Sequence, residues 1–452
     1  RAHMIARASG HDRVAAAAIV DLVDAVGYDL VRLDEGRRWA RLAEADVERT
    51  ADPVLRASLW SKRADLEGAA GNHRVALELD RLAFALLGGV APDDTLALSA
   101  GLRRIGNDHF DLGEYALSLD HAERALAMAE PVLGSDHPAL AAWLKVVGNA
   151  LYLLGRNDEA RATYERALAL LVAAHGREHP DVARMINNLA NTMRDQPGHK
   201  LELQREALGI YERTLGAEHP DLAGTLNNIG SSLEDRGELR EALPYLERSA
   251  KIAEDRFGPD HPDVATALSH LGRVRQALGE PAVALDLHER VLAIRRKHLG
   301  DRHPQVGVVL AHIATDLDAL GRTEEARKNY QQALVVIETA LGPDHSGVAT
   351  VCTNFGNHLR AHGDPEAARE QHERALAIQR KLYGAKSERT AGSHYNLGQA
   401  LVDLQRCDEA RPHYEAAIAV FTELDDAEKL ALARAGMDRC RVPMSVAPAP
   451  AP

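Results

Sequence analysis

Histidine is the residue in this chain whose placement most suggests chemistry. It recurs in the string Gly-x-x-His at 134–137, 176–179, 216–219, 258–261, 300–303 and 342–345. Zinc needs donors converging at ~2 Å on one point. These six fall in successive loops, so they read as caps or packing residues at the start of a helix. His358 and His362, spaced i, i+4, share one helix face in a way that can chelate, but the sequence offers no apparent third ligand. His270 and His312 hold the same position in adjacent repeats, placed to stack or to line a groove. Neither a metal site nor a cofactor is expected.

The other reactive combinations are missing. There is no Gly-x-x-x-x-Gly-Lys, Gly-x-Gly-x-x-Gly, His-Glu-x-x-His or Gly-x-Ser-x-Gly string, and no His-Arg-Asp, Asp-Phe-Gly or Ala-Pro-Glu. Acidic pairs such as Glu324-Glu325 and Asp425-Asp426 read as solvated helix faces. The cluster Arg295-Arg296-Lys297-His298 suits a helix C-terminus, where cations complement the dipole, or alternatively an anion or partner patch. No enzymatic activity is expected.

The elements that position these residues come from a repeat. The Gly-x-x-His anchors are spaced 42, 40, 42, 42 and 42 residues apart, and Gly384-Ala385-Lys386-Ser387 continues the phase. Pro follows the first five histidines and Ser346 the sixth. Pro at a helix start and Gly past a helix end punctuate a pair of helices, as in Pro138–Leu154 and Asp158–Ala174 around the turn Gly155-Arg156. A small residue recurs inside each first helix: Ala64, Gly106, Gly148, Ala190, Gly230, Gly272, Ala314, Gly356 and Gly398. Glycine costs a helix ~1 kcal/mol against alanine, so its recurrence implies close helix approach. Twelve residues on, Ala76, Ser118, Ala160, Ala242, Ala284, Ala326, Ala368 and Ala410 form a second small column, which Lys200 interrupts in the 40-residue unit.

These columns resemble the tetratricopeptide repeat (TPR), with its small eighth residue and its alanines at positions twenty and twenty-seven; Trp60 falls at the fourth. Leu215-Gly216-Ala217-Glu218-His219-Pro220 and Asn187-Asn188-Leu189-Ala190 resemble the kinesin light chain variety. The resemblance implies an all-α fold, a right-handed α-solenoid of about ten helix-turn-helix repeats. The array proper runs over 54–424 after a degenerate first repeat at 14–50. Residues 425–441 read as a capping helix, 442–452 as a Pro/Ala-rich tail and 1–13 as a linker, with Arg1-Ala2-His3-Met4 a cloning remnant. The segment from Gly27-Tyr28 to Trp39-Ala40, followed by such repeats, resembles the C-terminal region of bacterial Ser/Thr protein kinases.

In this family positions two, five, nine and twelve of the first helix line a concave groove. Here those phases place Asn187 and Asn227 at the fifth; Asn149, Asn191, Ser231, Arg273 and Asn357 at the ninth; and Arg194, Glu234 and Gln276 at the twelfth. These ten are the candidate partner-binding residues; Lys145 and Asn107 share the phases. Side-chain amides carry donor and acceptor together. They hold the backbone of an extended peptide, as the resemblance implies, or they bond neighbouring helices to each other.

Composition agrees with a soluble interaction module. Of 452 residues, 54 are Lys or Arg and 67 Asp or Glu, a net charge of −13. That disfavours nucleic acid and anionic membrane surfaces as partners. No apolar run approaches the ~20 residues of a membrane span, and three scattered cysteines fit a reducing cytoplasm. Aromatics are 4%, so small aliphatic residues must fill the core. The expected function is a cytoplasmic, non-enzymatic scaffold for a protein or peptide, serving as recruitment or sensor region downstream of a kinase domain. The alternative is a regulatory or target protein of a caspase-like protease or switch-ATPase system.

Overall fold

A computed structural model describes residues 2–29, 32–193 and 195–440. Among them the chain is all-α, with 22 α-helices and no strand. No described helix is long and apolar enough to cross a membrane. The chain divides into two units, residues 1–270 and 271–452, each built of antiparallel helix pairs packed on the next pair.

The recurrent histidines start the first helices. Backbone N–H groups of a first turn have no partner within the helix. His137, His179, His219, His261, His303 and His345 each accept, through Nδ1, the N–H two residues on, at 3.0–3.3 Å. In the seventh copy Ser387 Oγ accepts from Thr390 N at 3.2 Å instead. From Gly134 to Gly384, the second helix of each anchored pair ends on a glycine with φ between +76° and +90°. A side chain there is strained by Cβ–backbone contact, which accounts for the regular recurrence of these glycines along the chain.

At Gly148, Gly230, Gly272 and Gly356 the small column inside the first helices seats a large side chain from the second helix of the same pair, sixteen residues on. A Cβ built on Gly148 would lie 2.5 Å from Tyr164, on Gly230 2.4 Å from Leu246, on Gly272 2.6 Å from His288, and on Gly356 2.6 Å from His372. Three polar tips on this seated column find partners on the first helix: Tyr164 Oη donates to Asn149 Oδ1 at 2.7 Å, Gln204 Nε2 to Asn191 Oδ1 at 3.2 Å, and Tyr330 Oη meets Thr315 Oγ1 at 3.0 Å. Buried leucine, isoleucine and valine fill the remaining space, each contributing about 1.5–3 kcal/mol.

Three places depart from the regular unit. The 40-residue repeat takes its deletion at the end of its first helix: Pro180–Asn191 has 12 residues where Pro304–Ala319 has 16. Lys200 lies half-buried on the following helix, Pro197–Leu215. At the N-terminus, Ala2–Ala8 inside the expected linker is helical, and Asp12–Leu22 and Leu33–Thr50 flank a π-helical segment, Val23–Asp29. Gly27 and Gly36 let these backbones touch, since a Cβ on Gly36 would lie 2.5 Å from Gly27 Cα. At the other end, helix Ala427–Asp438 lays Ala433 against Phe421 and Val420. The expected tail, 442–452, lies outside the described residues.

Candidate functional site

Within the first unit a cavity of about 860 Å³ opens between two walls. One wall is helices Pro53–Ala69 and Thr95–Asp111 with Lys145; the other is residues 220–227 and 256–267. His261 caps its helix through Nδ1 and donates from Nε2 to the Ala69 carbonyl at 2.7 Å, joining the walls.

The lining is charged. Arg104 reaches Asp80 Oδ1 at 2.8 Å through Nε, Asp65 Oδ1 at 2.9 Å through Nη1 and the Ser61 carbonyl at 2.6 Å through Nη2. One guanidinium cannot hold every nearby carboxylate ionised in so dry a place. Burial and the adjacent charge of Asp80 push Asp108 up to about 9, so it keeps its proton at neutral pH. Burial, with Asp263 opposite, raises Asp111 to about 6. Burial, with Arg184 and Arg103 nearby, brings Lys145 down to about 8. Arg103 lies over the Trp143 ring, 5.5 Å from its centroid, and Trp143 Nε1 is anchored on Ser99 Oγ at 2.8 Å. Asn227 Oδ1 and Arg103 Nε, both buried in this lining, have no hydrogen-bond partner among the described residues. The cavity therefore presents carboxylates, cations with fixed positions and an open amide carbonyl.

The sequence candidates fall into distinct environments. Asn227 lines the cavity, as do Lys145 and Asn107 from the same phases. Asn149 accepts from both Tyr164 and Asn188 Nδ2, the latter at 3.3 Å. Asn187 is buried and accepts from Asn228 Nδ2 at 3.2 Å, and Asn191 accepts from Gln204. Their carbonyls thus tie helix to helix. Ser231 is half-buried, and Glu234 Oε2 stands 3.7 Å from His270 Nδ1. Arg273 and Gln276 are half-buried in the second unit, where Asn357 is exposed. Arg194 lies outside the described residues.

The residues that sequence reasoning missed are Asp65, Asp80, Arg103, Arg104, Asp108 and Asp111. Extending the fifth column one repeat earlier reaches Arg103; the acids carry no such signal, because a buried charge reads like a solvated one. The sequence also showed no third ligand for His358 and His362. The fold supplies one, Asp318, and these three form a group with metal-binding spacing in the second unit.

The tetratricopeptide repeat family model matches residues 96–171, 147–199, 201–255, 221–297, 274–334, 305–381 and 352–423, well over half the chain. The chain belongs to the tetratricopeptide repeat family. TPR arrays are typically non-catalytic protein-interaction scaffolds, and this chain is such an array. Among solved structures, a putative kinesin light chain with nearly identical TPR-like repeats from Podosopora anserina is 26% identical, covering 46% of this chain and 99% of that one at a TM-score of 0.39. BtubC (BKLC) from P. vanneervenii is 19% identical over 51% of this chain and 90% of that one, TM-score 0.41. A Rap protein complexed with competence and sporulation factor is 14% identical, covering 86% of this TPR chain and 98% of its own at a TM-score of 0.52, a likeness of fold. No curated protein matches the chain.

Proposed function

We propose that this TPR scaffold binds an extended segment of a partner protein in the cavity of its first unit, and that the segment carries lysine or arginine. The observation that carries the reading is the placement of Asp111 and Asp263 on one cavity, beside the Asp65–Arg104–Asp80 group, with an Asn227 carbonyl that has no partner among the described residues. A backbone N–H of the ligand fits Asn227 Oδ1, and a cationic side chain fits Asp111 and Asp263, whose mutual repulsion helps to raise Asp111. Lys145 and Arg103 set the register by excluding a second cation. The Rap protein supports the reading only as an example of this fold in complex with a factor. Partner-binding roles for Asn149, Asn187, Asn191, Ser231, Glu234, Arg273, Gln276 and Asn357 remain proposals; the carbonyls of Asn149, Asn187 and Asn191 already bond within the array. We place the scaffold in the cytoplasm, as the recruitment region of a bacterial Ser/Thr kinase, on the resemblance of residues 27–40.

Selection from a random peptide library displayed on phage tests the reading. Enriched sequences should share a Lys or Arg in an otherwise permissive segment. Asn227→Ala and Asp263→Asn should each lose them, while Asn357→Ala keeps them. Selection that yields nothing, or that is indifferent to Asn227 and Asp263, overturns it.

A further inference from the structure

We propose that Asp318, His358 and His362 form a binding site for a divalent transition metal of the zinc class, which ties two consecutive repeats of the second unit together. His358 lies in the last turn of helix Ser346–Ala361 and His362 caps it, so the i, i+4 spacing brings both rings to one face. Asp318 comes from the end of helix Pro304–Ala319, one repeat earlier. Its Oδ1 lies 2.8 Å from His358 Nδ1 and 2.6 Å from His362 Nε2. The three donor atoms lie within 4.8 Å of one another.

Three features separate this group from an ordinary His–Asp hydrogen bond. First, one carboxylate oxygen faces two imidazole nitrogens from one helix. A tetrahedral zinc with bonds of ~2.0–2.2 Å needs donors ~3.3–3.5 Å apart, so a withdrawal of Asp318 by under ~1 Å makes room for the ion. Second, the side chain of His358 is 1% exposed, yet its Nδ1 is not aligned for a hydrogen bond on Asp318 and has no hydrogen-bond partner. A buried nitrogen aimed at an oxygen without bonding it is placed as a ligand is placed. Third, the His358 ring is held by packing, 5.5 Å from the Tyr330 ring and 6.2 Å from Phe355, whereas His362 is exposed. One ligand is preorganised and another opens an entry path.

Two imidazoles and one carboxylate select a borderline metal such as zinc over calcium or magnesium, which prefer all-oxygen shells. Three protein ligands leave a fourth position for water. The donors come from both of the helices they would join, so the ion acts as a clip between repeats. This inference is independent of the peptide reading, which concerns the other unit.

The test is a titration of the full chain with ZnCl2 by calorimetry, repeated with CoCl2 and read by visible absorption. Asp318→Asn and His362→Ala are measured beside it, and their metal-free circular dichroism checks the fold. The expected result is one tight site with cobalt bands typical of tetrahedral coordination, a zinc-induced rise in Tm, and binding weakened at least about tenfold in each variant. His362→Ala carries the test alone if Asp318→Asn unfolds, because His362 is exposed. Zinc binding that is absent, or equal in the wild-type chain and His362→Ala, overturns the site and assigns any residual binding to other histidines or cysteines.

Discussion

Two glycines of one helix, Leu222–Asp235, should respond to the same substitution with opposite signs. Gly224 is exposed, and a methyl added there meets nothing within 4 Å, whereas a Cβ on Gly230 would lie 2.4 Å from both Cγ and Cδ2 of the fully buried Leu246. Alanine at either site gains up to ~1 kcal/mol of helix propensity. That gain largely cancels in the comparison. What remains is the cost of forcing a methyl into a filled site, about 1–3 kcal/mol for overpacking. Gly224→Ala should therefore stabilise and Gly230→Ala destabilise, the two differing by about 1–3 kcal/mol. Leu246→Ala alone removes a buried leucine and costs about 2–5 kcal/mol. Combined with Gly230→Ala it should cost less than the sum, because the shorter side chain makes room for the methyl. The assay is urea unfolding followed by far-ultraviolet circular dichroism, fitted with a nearest-neighbour repeat model because arrays need not unfold in one step. If the two alanine variants agree within ~0.5 kcal/mol, the seated-column account of the repeat is wrong.

Other consequences are as direct. Asp108 stays protonated up to about 9 in the fold against 3.8 outside it, so its neutral form favours folding below 3.8 and that advantage is lost as pH rises towards 9. Asp108→Asn should accordingly raise the neutral-pH melting temperature of the first unit and flatten its alkaline slope in a calorimetric scan. Burial, helped by Arg360, lowers His372 to about 4 from 6.5; stability is then full above 6.5 and falls as pH drops to 4, by roughly 3 kcal/mol at 1.36 kcal/mol per unit. His372→Phe should remove most of that acid loss in urea titrations at stepped pH. His303→Ala deletes the acceptor of the Gln305 N–H and should cost about 0.5–2 kcal/mol, while His303→Asn, which keeps an acceptor at the cap, should restore most of the unfolding midpoint.

The fold was legible where one residue type answers one local need. The caps at His137 to His345, the terminal glycines and the small column each solve a backbone or packing problem that recurs with the repeat, so spacing alone exposed them. The identity of the seated residue was harder to read. Tyr164, Gln204, Leu246, His288, Tyr330, His372 and Tyr414 share a position but no chemistry, because the site asks only for bulk; Tyr164, Gln204 and Tyr330 find polar partners on the first helix of their own pair, and His288 finds Asp316 on the next. The same reasoning explains the asparagines. An amide at position five or nine reads identically whether it faces a peptide or a neighbouring helix, and only the geometry separates Asn227 from Asn149, Asn187 and Asn191. Long-range assembly was not legible. Asp65, Asp80 and Asp108 become one buried cluster only when helices Pro53–Ala69, His73–Val90 and Thr95–Asp111 pack together. Asp318 reaches His358 and His362 only across a repeat boundary.

The cavity's role is tested most directly by hydrogen–deuterium exchange on the full chain, with and without a saturating library-selected peptide. Binding in the cavity should slow exchange in residues 103–111 and 221–227 and leave helices Pro365–Tyr383 and Cys407–Glu423 unaltered. Protection confined to the second unit, with 103–111 and 221–227 unchanged, would place the partner elsewhere and leave the charged cavity without a binding role.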